Sequence, residues 1–308
     1  MSARGRPGRE PPPRGGTARS AEGAPVSAKG GAPAGLPRIV LRPARGWNAL
    51  RLGELREYHE VVLVLVWRDI KVRYAQAVLG VAWAVLQPVA TMIVMTIVFG
   101  RLARMPSDGL PYEAFALAGL LPWQLFQNGV QRASLSLVQN ANLLTRVYFP
   151  RLSLPLAAVL GTLVDFVLAA LVLAGLLAWY GWAPAPERLL WLPALTALAV
   201  LNALGIGLWL SALNVRFRDV QHTLPFLLQI ALLASPVAYS ASLIPEGIWR
   251  TLYGLNPMVG VIQGFRWALL GGPAAGSLLV LSAVTGSVLL VGGLYFFRRV
   301  EWGFADRL

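Results

Sequence analysis

The chain has 308 residues, of which 56% are hydrophobic and only 13% charged, against about a quarter charged in an average soluble domain. It holds no cysteine and two histidines, His59 and His222, which excludes disulfides, thiol catalysis and any cysteine- or histidine-rich metal site. The net charge of +13 does not read as a nucleic-acid footprint, because 14 of the 27 basic residues precede Gln76 and most others sit in short segments between apolar runs.

Residues 1–46 are rich in Pro, Gly, Ala and Arg and poor in large apolar side chains. Such a segment cannot bury enough surface to offset its ordering entropy, so it reads as disordered. It has no apolar run of signal-peptide length. Its arginines can draw it toward anionic lipid, or it is a passive tail.

Residues 47–77 lead into the first apolar run. Arg68, Asp69, Lys71 and Arg73 lie close together, and from Tyr74 no charge follows until Arg101. About 20 apolar residues at about 1.5 Å each cross the roughly 30 Å hydrocarbon core. The stretch therefore predicts a basic amphipathic helix on the membrane surface that turns into a span.

Apolar runs cover Val78–Phe99, Ala114–Ser134, Leu154–Trp179, Leu189–Leu213, Leu224–Tyr239 and Gly276–Phe297. The expected fold is an all-α membrane protein with six transmembrane helices over residues 78–302 and a short C-terminus, 303–308. The second run carries Pro122, Gln124, Gln127, Asn128 and Gln131, which are costly toward lipid and should face other helices or water. With six spans both termini share one side. That side holds all basic residues except Arg101, Arg104, Arg188, Arg250 and Arg266, so the termini are expected in the cytoplasm. Trp179, Tyr180, Trp182 and Trp191 at one face, and Tyr148 and Trp302 at the other, form the expected interfacial belt. Trp83 and Trp123 lie deeper.

The loop Ser136–Leu156 predicts a short amphipathic helix over Asn140–Tyr148, ended by Pro150. It either lies in lipid or docks a soluble partner through Arg146, Tyr148 and Phe149. Arg216, Arg218 and Asp219 form a charged corner that serves topology or an interaction. In Ser240–Pro273, apolar residues at Ile248, Leu252, Leu255, Val259 and Ile262 have helical spacing, interrupted at Asn256–Pro257. Two short helices that dip into the outer leaflet and return fit this pattern. Such backbone is tolerated only against protein or a water-filled cavity, which suggests a pore mouth; a folded external hairpin is the alternative. Asp165 is the only carboxylate deep in a clear span. It is a proton carrier or, with no His or Glu companion, a helix contact to a hydroxyl, amide or arginine of a neighbour.

Four stretches, RDIKVRY with VLGVAWAVLQP (Arg68–Pro88), NANLLTRVYFPRLSLPL (Asn140–Leu156), LNVRFRD (Leu213–Asp219) and SPVAYS through LNPM (Ser235–Met258), resemble the transmembrane subunits of bacterial ABC-2 type exporters for O-antigen, capsular polysaccharide and teichoic acid. The resemblance implies a homodimer of this chain paired with two ATP-binding subunits, moving a lipid-linked glycan. It implies a coupling helix that docks the ATPase, comprising Asn140, Asn142, Leu143, Thr145, Arg146, Tyr148, Phe149 and Pro150. It implies a cytoplasmic interface helix over Arg51–Tyr74, with Arg68, Asp69, Lys71, Arg73 and Tyr74. An external gate would contain Pro236, Tyr239, Pro245, Trp249, Asn256 and Pro257. The first and fifth spans would line the conduit, with Trp83 and Tyr239 as aromatic candidates to stack on sugar faces. The sequence has no Gly-Lys dipeptide, so a phosphate-binding loop is absent. ATP and magnesium are then expected on the partner, with no cofactor and no nucleic acid on this chain. A proton-coupled carrier would need a relay through Asp165. A membrane glycosyltransferase would need convergent acids, whereas Asp108, Glu113, Glu187 and Glu246 are scattered over separate loops.

Overall fold

The computed structural model describes residues 58–75, 80–146 and 149–304. The expectations for the tail 1–46, for residues 47–57, for Tyr148, for the side chain of Thr145 and for residues 305–308 lie outside the described residues. Among the described residues the fold is helical and contains no strand.

In chain order the helices are α1 (His59–Ala75), α2 (Gly80–Met95, continued by a π-helical Thr96–Leu102), α3 (Tyr112–Gln139), α4 (Ala141–Arg146), α5 (Ser153–Leu160), α6 (Leu163–Trp179), α7 (Pro186–Leu189), α8 (Leu192–Arg216), α9 (Val220–Leu233), α10 (Ile248–Gly254), α11 (Val259–Leu270) and α12 (Gly276–Val300). Four stretches are long and apolar enough to cross a membrane: Ala82–Leu102, Ser153–Trp179, Pro186–Arg216 and Gly276–Gly303. They correspond to the first, third, fourth and sixth expected spans.

The two remaining spans differ from expectation. The second is α3, a helix of 28 residues, about 42 Å long, yet too polar to count as a span by composition. It is the core of the bundle, with 18 of those residues buried. It packs against α2, α5, α6, α8, α9 and α11, so its amides face protein and cavity rather than lipid. The fifth is shorter than Leu224–Tyr239 and begins earlier. It is α9, 14 residues, about 21 Å, followed by turns over Ala234–Ser240 where Pro236 ends the helix.

Two further corrections concern the surface. Arg266 is not an external loop charge: it sits in α11 at 2% exposure. Its Nη2 donates to the Val237 carbonyl at 2.7 Å, its Nη1 to the Tyr239 carbonyl at 3.3 Å and its Nε to the Phe115 carbonyl at 3.3 Å. The guanidinium also lies 3.5 Å from the Phe115 ring centroid, so its burial is compensated by carbonyls and a ring face. Helix α1 is not simply amphipathic either. Val62 and Leu65 are buried, whereas Leu63, Val64, Trp67 and Val72 are exposed. It presents apolar side chains both to the bundle and away from it.

The break at Asn256–Pro257 between α10 and α11 has its polar backbone satisfied from neighbouring elements. Ser282 Oγ donates to the Asn256 carbonyl at 3.2 Å and accepts from Gly260 N at 2.8 Å. Asn202 Nδ2 of α8 donates to the Pro257 carbonyl at 2.7 Å. Asn202 fits because α12 has no side chain opposite it: a Cβ on Gly286 would lie 1.8 Å from Asn202 Oδ1. Substituting Gly286→Val should therefore overpack the α8–α12 crossing and cost about 1–3 kcal/mol. Thermal unfolding of the purified protein in detergent should show a clear fall for Gly286→Val. Gly175→Ala, where a Cβ meets nothing within 4 Å, should be neutral. Equal melting of the two variants would refute the crossing as a packing constraint.

Candidate functional site

A cavity of about 410 Å³ opens between α1, α2, α3 and α6. Its wall from α3 is polar because Gln124, Asn128 and Arg132 recur at every fourth residue and so share one helix face. Opposite stand Trp83 and Gln87 of α2, and Arg73 and Tyr74 close it from α1. Asp165 of α6 lies among them.

The carboxylate of Asp165 gathers two donors and a third, more distant cation. Arg73 Nη1 lies 2.5 Å from its Oδ2, Arg132 Nη2 lies 3.7 Å from the same oxygen, and the Tyr74 hydroxyl donates to Oδ1. Arg73 Nη1 also reaches the Gly161 carbonyl at 3.4 Å, at the break between α5 and α6. Both Arg73 and Asp165 keep under a fifth of their side-chain surface exposed, so the pair is largely desolvated. Burial, and then the bonded Asp165 carboxylate, raise the Tyr74 phenol above its usual pKa. It therefore stays a proton donor at neutral pH. Two guanidiniums against one carboxylate leave the cavity floor with surplus positive charge.

Helix α1 is tied at a second point. Arg68 Nη2 donates to Asn140 Oδ1 at 2.8 Å while holding Asp69 Oδ1 at 2.8 Å. Asn140 caps the end of α3, where its Nδ2 donates to the Ser136 carbonyl at 2.8 Å. Helix α4 begins at the next residue. Three of the five residues expected on the interface helix, Arg68, Arg73 and Tyr74, thus join the end of α3 or the cavity floor, and Asp69 pairs with Arg68. Lys71 is exposed.

The residues expected on the coupling helix divide. Asn142 and Arg146 are exposed on α4 and Leu143 is half-buried. Phe149 and Pro150 are buried, with Phe149 in the main hydrophobic core. Phe149 therefore anchors the segment and does not offer its ring to a partner.

The gate residues divide as well. Pro236 is buried, and the Tyr239 carbonyl is held by Arg266 while its hydroxyl donates to the Leu233 carbonyl at 3.1 Å and accepts from Tyr253 at 3.1 Å. Asn256 donates to Ser235 Oγ at 2.9 Å. Pro245 and Trp249 are exposed. Trp83 lines the cavity, but Tyr239 does not; the clamp by Arg266 and Tyr253 keeps it elsewhere. Trp123 is buried and donates through Nε1 to Gln127 at 2.8 Å. Arg132, Gln87 and Arg266 were not singled out from the sequence. The fourfold spacing of Gln124, Asn128 and Arg132 within an apolar helix is the signal that marks Arg132.

Residues 60–270 match the model of the family described as ABC-2 type transporter. The chain is 32% identical over 251 residues to an O-antigen export system permease protein RfbA of Myxococcus xanthus, covering 80% of this chain and 95% of that protein. It is 27% identical over 250 residues to the protein of the same name from Klebsiella pneumoniae, covering 81% and 95%. It is 28% identical over 243 residues to the polysialic acid transport protein KpsM of Escherichia coli, covering 78% and 93%. The matched region contains α1, the cavity and the α10–α11 break, so on these grounds the chain belongs to the ABC-2 type transporter family.

Proposed function

We propose that this protein is the permease subunit of an exporter that moves a lipid-linked polysaccharide across the cytoplasmic membrane, driven by a separate ATP-binding subunit. The observation that carries this reading is the cavity. It has amide walls, an exposed tryptophan and a cationic floor, yet it sits against helices of membrane-spanning length. Amides and an aromatic face suit sugar hydroxyls and sugar rings, and surplus positive charge suits a phosphate-linked lipid. The relatives named for O-antigen and polysialic acid transport point to the same substrate class.

In this reading α2, α3, α5 with α6, α8, α9 with its following turns, and α12 are six crossings, and both termini are cytoplasmic. Two copies of the chain assemble with two ATPase subunits. Helix α4 is the coupling helix and meets the ATPase through Asn142 and Arg146. Helix α1 is the interface helix, and α10–α11 form the external gate. The chain itself turns over no ATP.

Reporter fusions after Pro184 and after Leu308 should then fall on opposite sides of the membrane. Finding both on one side would eliminate the six-crossing arrangement.

Reversing the exposed charge of α4 with Arg146→Glu should turn an attractive contact to the ATPase repulsive. Export should fall at least tenfold while membrane insertion stays normal. Normal export together with normal ATPase association would remove α4 from the docking role.

Asp165 acts in this reading as the anchor of α1, not as a proton carrier. Asp165→Asn leaves Arg73 and Arg132 facing each other and should weaken assembly and export severalfold without abolishing them. The exchange Arg73→Asp with Asp165→Arg should restore part of the loss, because the attraction is re-formed with its partners swapped. A proton carrier predicts the opposite pattern: a well-assembled Asp165→Asn protein with no transport, and no rescue by the exchange.

A further inference from the structure

A second cavity, of about 520 Å³, lies between the C-terminal ends of α8 and α12 and shares no lining residue with the first. Trp209, Tyr295 and Phe296 form its sides, Phe304 its floor, and Arg216 and Arg299 its mouth. The sides are fixed in place. Trp209 stacks on Phe296 with centroids 4.6 Å apart and rings 16° from parallel, and its Nε1 donates to the Leu289 carbonyl at 3.2 Å. Phe304 is buried edge-on against Phe297 at 5.4 Å.

The neighbouring charges are already engaged. Arg298 pairs with Glu301 at 2.9 Å, and Arg151 donates to the Glu301 carbonyl. Arg216 and Arg299 differ. Both are exposed, and among the described residues no carboxylate forms an ion pair with either. Arg216 rests only over the Phe217 ring, 5.2 Å from its centroid.

Arg299 also ends an exposed stripe of α12. Val280, Val284, Val288, Val291, Tyr295 and Arg299 follow one another at intervals of three or four residues, hence on one face. The four valines and Tyr295 are 48–67% exposed. From Val288 to Arg299 the helix rises about 16 Å, close to half of the roughly 30 Å hydrocarbon core. This part of the stripe, from Val288 on, is one leaflet deep, with the guanidinium at its edge.

We propose that this groove binds an anionic phospholipid. Its phosphate diester sits between Arg216 and Arg299, and one acyl chain follows Tyr295, Val291 and Val288. Charge complementarity selects an anion, and guanidinium forks match phosphate oxygens in pairs. The apolar stripe below selects a lipid over a free phosphate, which would gain nothing from it. A soluble protein partner could not follow the stripe into hydrocarbon. Both arginines sit at helix C-termini, whose carbonyl ends repel anions, so the guanidiniums themselves must hold the phosphate.

The test is native mass spectrometry of the full-length protein in detergent, titrated with phosphatidylglycerol or with phosphatidylcholine. Phosphatidylglycerol should bind at about tenfold lower concentration, given the usual attraction of anionic lipid to each interfacial arginine. The pair Arg216→Gln and Arg299→Gln should erase that preference. The pair Arg216→Lys and Arg299→Lys should keep part of it, and Arg218→Gln, outside the groove, all of it. Equal affinity of the unsubstituted protein for the two lipids would overturn the proposal without any variant. So would a preference that survives the double Gln change. Loss of a co-expressed ATPase from the double Gln variant, with lipid preference intact, would assign these arginines to a protein contact instead. The measurement needs no transport, so it can fail while the exporter reading stands, and the reverse.

Discussion

A helix carrying Gln124, Gln127, Asn128, Gln131 and Arg132 cannot lie against hydrocarbon, where each unsatisfied polar group costs several kcal/mol. The bundle is arranged around this constraint. Helix α3 is wrapped by α2, α5, α6, α8, α9 and α11, and the polar face left uncovered becomes the wall of a cavity. The apolar helices have the reverse problem. Helices α2, α6 and α12 expose Ile93, Val94, Leu171, Val284 and Val288, as helices facing lipid should. One polar helix inside and apolar helices outside is the arrangement a bilayer imposes, opposite in pattern to a water-soluble bundle.

The Asp165 constellation follows from the same constraint. A carboxylate at that depth needs partners, and a transmembrane neighbour could have supplied a single hydroxyl. The partners come instead from α1, through Arg73 and Tyr74, and from α3, through Arg132. A helix leading into the first span is thereby tied to the third apolar run by an ion pair lining a cavity. Removing one member of a desolvated pair costs more than the pair contributes, because the other charge stays behind. Such a contact specifies where α1 sits more than it stabilises the bundle.

Much of this was legible in the sequence, for identifiable reasons. Long apolar runs, uncharged except for Asp165, marked the four long spans, since length and hydropathy are local properties. The Asn256–Pro257 interruption marked the α10–α11 break, since an asparagine that bonds its own backbone precedes the proline; Pro88, Pro122 and Pro225 by contrast lie inside helices. Asp165 was expected to contact a neighbouring hydroxyl, amide or arginine, and it contacts two arginines and a tyrosine. Pairings across the fold were not legible. Arg250 has Glu246 four residues before it and pairs with it at the surface; Arg266 has no acid nearby in the chain, and nothing local shows that its partners are the Val237, Tyr239 and Phe115 carbonyls. Phe149 was expected with Arg146 and Tyr148 in a partner's cleft; only tertiary packing shows it in the core. Tyr239 and Trp83 were paired by residue type, and residue type does not report facing.

The two ties on α1 connect regions that the proposed function must connect. Arg68 holds Asn140, where α3 ends and α4 begins, and five residues on Arg73 holds Asp165 at the cavity floor. In the proposed assembly a displacement of α4 passes to α3 through the chain itself and to α1 through the Arg68–Asn140 contact at the same point. The Arg68 tie is partly exposed and can break without opening a helix or unpacking the core, whereas the Arg73–Asp165 pair is largely desolvated and leaves an uncompensated charge when broken. The backbone hydrogen bonds of α3 and the Arg266 clamp are neither exposed nor removable in that way. Helix α1 is also held by Val62 and Leu65 in the apolar core, so its two polar ties set where it sits along the bundle rather than whether it is attached.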